Sequence, residues 1–155
     1  MNHTQGCSRS VRYLSAGGLL AGALLAMLAS PAYAGRFNHA FAKHKLVMSI
    51  SNPGKGRQQL VLNNTVNVLK AFGMDNIRVE IVAFGPGLKM LLKHNRHAKE
   101  IQALKTEGVE FAACHNTMMK MHITKSELNP AATVVPGGIV ELVRREEQGW
   151  SYVKP

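Results

Sequence analysis

Ile77-Arg78-Val79-Glu80-Ile81-Val82-Ala83-Phe84, closed by Gly85-Pro86-Gly87, is the stretch on which the reading of this chain turns. Eight residues rich in β-branched side chains, shut off by glycine and proline, read as a short strand. On its N-terminal side, residues 45–50 (Lys-Leu-Val-Met-Ser-Ile) form another β-prone run, closed by Asn52-Pro53-Gly54. Between the two, Leu62, Val66, Leu69 and Phe72 recur at the spacing of a buried helical stripe, and Gly73 supplies a left-handed stop.

The alternation continues on the C-terminal side. Leu88, Leu91 and Leu92 start more helix, and a second helical piece carrying Ala98, Ile101 and Leu104 runs to Gly108. Residues 109–113 read as a third strand, 116–121 as helix, 133–135 as a fourth strand closed by Pro136-Gly137-Gly138, 139–148 as a last helix stopped by Gly149, and 150–153 as a final strand. Strands separated by helices, most of them short and apolar, predict a three-layer α/β/α sandwich with a mainly parallel sheet of about five strands. The spacing shows no repeat and no second domain.

The first third of the chain reads differently. Arg9 and Arg12 precede an apolar run from Leu14 to Leu28, and Ser30-Pro31-Ala32-Tyr33-Ala34 places small residues where a signal peptidase reads. Residues 1–34 are therefore expected to be a cleaved export signal, residues 35–44 a flexible lead-in, and residues 45–155 the domain. A retained anchor is the alternative, but a span needs roughly 20 apolar residues and Gly17, Gly18 and Gly22 interrupt the run. Export without an anchor implies no membrane partner after cleavage and, in a bacterium, a periplasmic location.

The chain carries a formal net charge of +10. Such basicity attracts anions over distance, yet only Lys43/Lys45 and Lys89/Lys93/Arg96 cluster and no nucleic-acid motif accompanies them, so no nucleic-acid partner is expected. A hydrolase elbow of the Gly-x-Ser-x-Gly type is missing, and acidic residues such as Glu100, Glu107, Glu146 and Glu147 fall at solvated helix positions. Pro53-Gly54-Lys55-Gly56-Arg57 fits neither the Walker nor the dinucleotide fingerprint and reads as a solvated basic turn.

Of two cysteines, Cys7 would leave with the signal, so Cys114 would be the only thiol of the mature chain. In an open parallel sheet, ligands bind beyond the carboxyl ends of the strands. That rule selects Cys114 as the catalytic candidate, with Asn52, Gly85, Gly87, His115, Asn116, Gly137 and Gly138 bordering a ligand crevice. A thiol at a helix start ionises more readily, and the thiolate is the nucleophile. The competing account is a small buried hydrophobe.

Residues 81–89, 108–118, 123–124 and 135–142, with the ending Trp150-Ser151-Tyr152-Val153-Lys154-Pro155, resemble the DsrE/DsrF-like family. The resemblance covers about residues 44–155. It implies a small α/β sandwich with a mostly parallel sheet, assembled as a trimer or hexamer of identical chains. It further implies sulfur relay, in which a cysteine accepts sulfane sulfur as a persulfide and passes it to a partner thiol, without cofactor or metal. Cys114 falls where the subgroup with a Cys-x-Asn-Thr-Met pattern carries its cysteine. The expectation is thus a persulfide carrier rather than a turnover enzyme, sulfurtransferase-like if enzymatic, meeting a sulfur donor and an acceptor.

Two other readings of the same residues stand beside it. Cys114, Met118 and Met121 on one helical face, with His115, Met119 and His122 on another, make a soft-metal (copper) ligand set. A non-catalytic oligomeric ligand-binding module is the third.

Overall fold

The computed structural model describes residues 42–155; the expected signal and residues 35–41 of the expected lead-in lie outside the described residues. Five strands, β1 (His44–Ile50), β2 (Ile77–Ala83), β3 (Glu110–Cys114), β4 (Ala132–Val135) and β5 (Ser151–Val153), alternate with four α-helices. These are α1 (Lys55–Phe72), α2 (Ala98–Thr106), α3 (His115–Lys120) and α4 (Gly138–Glu147). The sheet order is β4-β3-β2-β1-β5 and every pairing is parallel. The α/β sandwich expected from the alternation is the observed architecture, with the sheet wholly parallel.

Connectivity decides which helix lies where. The first three crossovers each step one strand in the same direction, so right-handed connections put their helices on one face. The β4–α4–β5 connection returns across the whole sheet and falls on the other. Strand alternation records the split. Met48, Ile50, Ile81, Ala83, Phe111 and Ala113 pack with Val61, Leu62 and Leu69 of α1, Ile101 and Leu104 of α2 and Met118 of α3. Their neighbours Val47, Val82 and Ala112 point the opposite way and form a smaller cluster with Leu142 of α4 and Trp150, against which Phe84 and Val135 pack. The two faces are unequally covered, and α4 leaves Ile139, Val140 and Val143 exposed.

Gly73, Gly108 and Gly149, the three expected stops, all hold positive φ (83°, 93° and 77°), which glycine adopts without a side-chain penalty. One local reading is corrected. The residues after β2 do not start an α-helix at Leu88; Gly85–Leu91 winds as a 3₁₀ segment with Pro86 at its start. Its path is fixed by Gly87, where a Cβ would sit 2.4 Å from the Ile50 carbonyl oxygen, and whose N–H donates to the Ser51 carbonyl at 2.9 Å.

Candidate functional site

Two adjacent strands whose outgoing helices diverge to opposite faces leave a crevice between their carboxyl ends. Here those strands are β3, followed by α3 on the heavily covered face, and β4, followed by α4 on the other. Cys114 is the last residue of β3, and Gly137-Gly138 lead from β4 into α4. A cavity of about 570 Å³ opens between them, lined by Cys114, Asn116, Thr117, Lys120 and Met121 on the β3–α3 side. Gly137, Gly138, Ile139 and Val140 line it from α4, and Phe84, Gly85, Pro86 and Lys89 from the end of β2.

Cys114 is 5% exposed and bears a free thiol. Burial pushes its pKa up, but four hydrogen-bond donors outweigh that effect and hold the thiol below the ordinary cysteine range. They are the Thr117 hydroxyl and the backbone N–H groups of Thr117, Gly138 and Asn116. The hydroxyl's orientation has a cause. Thr117 Oγ1 accepts the Gly85 N–H at 2.9 Å, so its own proton is not spent on that bond. Gly138 packs closely on Phe84 because it has no side chain: a Cβ there would meet Phe84 Cβ at 2.7 Å and Cδ1 at 2.9 Å. Beside it, a Cβ on Gly137 would lie 3.2 Å from Val140 Cγ2. The site is thus a free thiol of lowered pKa at the wall of a largely apolar cavity.

The model of the DsrE/DsrF-like family matches residues 44–155. The chain belongs to the DsrE/DsrF-like family. Among solved structures, this DsrE/DsrF-like chain is similar to a protein of unknown function from Methanobacterium thermoautotrophicum, with 28% identity and a TM-score of 0.70. That likeness covers 72% of this chain and 99% of the other. A conserved protein of unknown function from Bacteroides thetaiotaomicron shares the fold, with 14% identity and a TM-score of 0.51 over 72% of this chain and 94% of that one. No curated protein matches the chain.

Not every candidate residue of this DsrE/DsrF-like domain reaches the cavity. Gly85, Asn116, Gly137 and Gly138 line it with Cys114, whereas three others do not. Asn52 lies at the end of β1, two strands from β3, where its Oδ1 accepts the Gly54 N–H at 2.7 Å and lines a separate cavity of about 360 Å³ with Ser51, Arg57 and Lys154. Gly87 is buried against β1, and its contribution is the close backbone approach already described. His115 opens α3 with its side chain exposed.

The soft-metal set does not assemble as a helical face. α3 ends at Lys120, so Met121 and His122 lie beyond it, and His122 takes a positive φ of 54°. Met118 packs in the main core while Met119 is exposed. Among the described residues no three His, Cys, Asp or Glu side chains converge on a metal-sized site.

One cluster escaped the sequence reading. Under α4, Arg145 Nε donates to Glu80 Oε2 at 2.7 Å and to Glu141 Oε1 at 2.9 Å, and its Nη2 donates to Glu110 Oε2 at 2.9 Å. Arg78 Nη2 donates to Glu110 Oε1 at 2.7 Å. The Arg145 and Arg78 guanidinium carbons lie 4.5 and 5.0 Å from the Trp150 ring centroid. Burial raises the Glu80 pKa, opposed by its bonds to Arg145. Glu80 and Glu110 are register partners on β2 and β3. Two like charges placed side by side need the arginines between them, so this network braces α4 on the thinly covered face.

Proposed function

We propose that this protein is an exported persulfide carrier acting through Cys114. The observation that carries the reading is a free Cys114 thiol at the start of α3 that lines an open cavity of about 570 Å³; its lowered pKa is consistent with that reading. The exchange balances without cofactor or net oxidation. The Cys114 thiolate attacks the outer sulfur of a donor persulfide R–S–SH; a new Sγ–S bond forms, the donor S–S bond breaks, and R–S⁻ leaves with the electron pair. A partner thiolate then attacks the outer sulfur of Cys114–S–SH, and Cys114 leaves as thiolate. In both steps Cys114 carries or releases negative charge, which the hydrogen bonds that lower its pKa stabilise. With no second cysteine in residues 35–155, transfer to a partner is favoured over formation of an internal disulfide.

Export rests on the three-part layout of residues 1–34. Assembly into a homo-oligomer is supported by the apolar residues that α4 and the edge strand β5 leave exposed outside the cavity, Val143, Tyr152 and Val153. Incubation with an organic persulfide followed by intact mass measurement tests the carrier reading: one labile sulfur is expected on Cys114 and none on C114S. A soft-metal role would instead show as copper(I) binding lost in C114S with no sulfur uptake by the wild type.

A further inference from the structure

A relay site that handled only a bare sulfur species would need little more than the hydrogen bonds around Cys114. The cavity beside it is far larger, at about 570 Å³, within the range of small-molecule pockets. Its walls are Phe84, Pro86, Met121, Ile139 and Val140, so most of its inner surface offers nothing to a hydrated oxyanion. The charged residues lining the cavity are Lys89, from the 3₁₀ segment after β2, and Lys120, from the last turn of α3. Both line the cavity and are exposed, no carboxylate lines it with them, and neither side chain is ion-paired among the described residues.

We infer that the cavity takes an amphiphilic anion: a small molecule with an aliphatic or aryl body and an acidic head. The body lies along Phe84, Met121, Ile139 and Val140, and the head sits between Lys89 and Lys120. Resting on the carrier reading, the inference makes the sulfur donor an organic persulfide with an apolar body and an acidic group, rather than thiosulfate or inorganic polysulfide. Occupancy of the cavity does not itself require the Cys114 sulfur.

The test separates the two. The methyl groups of Met121, Ile139 and Val140 are followed by NMR in the purified protein during titration with octanoate, octylammonium and thiosulfate. Octanoate is expected to shift these methyls saturably, equally in wild type and C114S. Octylammonium is expected to bind at least about tenfold more weakly, and the K89A/K120A double variant to lose at least about fivefold in octanoate affinity. Thiosulfate is expected to leave the methyls unmoved. The inference is overturned if octanoate does not bind, if octylammonium or thiosulfate binds as well as octanoate, or if the shifts map elsewhere. It is also overturned if a second copy of the chain occupies these residues and octanoate cannot compete with it. Sulfur uptake failing while octanoate binds would sink the carrier reading alone; the reverse pattern would sink the amphiphile alone.

Discussion

Replacing Thr117 by valine removes one hydroxyl beside Cys114 while keeping the side chain's shape. The hydroxyl accepts the Gly85 N–H, and hydrogen bonding from it is the main cause that lowers the Cys114 pKa against burial. A hydrogen bond to a charged group is worth about 1.5 kcal/mol at the low end of its range. Below both titration midpoints that loss leaves about tenfold less thiolate at a given pH. The remaining thiolate is more basic and more nucleophilic, with a Brønsted exponent of about 0.45, so exchange slows only about three- to fourfold. At high pH, where both proteins are fully ionised, the variant is expected to react about threefold faster than wild type. The pH–rate curves therefore cross. The assay is release of thiopyridone from dithiodipyridine across the pH range, with C114S as blank and T117S as the variant that restores the donor. Curves for T117V that lie below wild type at every pH, or a midpoint that does not rise, would refute the role given to Thr117.

Further outcomes follow from the same geometry. In wild type, Cys114 has a lowered pKa in the folded state, so the stability that its ionisation contributes is present above the ordinary thiol pKa and is lost as pH falls through the lowered one; C114S should remove that component, as read by denaturant melts at several pH values. G138A should cost about 1–3 kcal/mol by overpacking against Phe84 and slow Cys114 exchange together with it. G87A should be the more damaging glycine change, since its Cβ would strike the Ile50 and Ser51 backbone, and Trp150 fluorescence, from the only tryptophan of the chain, reads both. R145A should destabilise by about 3–5 kcal/mol at neutral pH by stranding buried carboxylates. Because the Glu80 pKa is raised, the cost of its charge is absent below the ordinary carboxylate range and grows as pH rises through the raised value, so the R145A loss should shrink in acid.

The fold was legible because its signals are local. Glycines at 73, 108 and 149 stop helices by a backbone conformation that any sequence reader can anticipate, and the apolar runs between them matched the five strands to within a residue or two. Cys114 was legible for the same reason, as the end of a strand in a parallel sheet. What escaped depends on register and on the direction of side chains. Alternation puts Arg78, Glu80 and Val82 on one face of β2, but nothing local says that Glu110 lies beside Glu80 or that Arg145 reaches both. Thr117 was missed because its importance lies in a bond to Gly85, 32 residues away. Asn52 was misplaced for a related reason: the rule that selects strand ends does not say which pair of strands diverges, and here it is β3 and β4, not β1. His115 follows the right strand, but its side chain is exposed at the start of α3 and does not line the cavity.

The most direct measurement is the mass of the protein after brief exposure to a sulfane-sulfur donor, with the thiols trapped by alkylation and the modified peptide sequenced. One additional sulfur atom on Cys114, removed by a reducing thiol and missing from C114S, is the result this account requires. An unchanged mass under conditions where Cys114 still reacts with dithiodipyridine would contradict it, leaving a reactive cysteine with some other use.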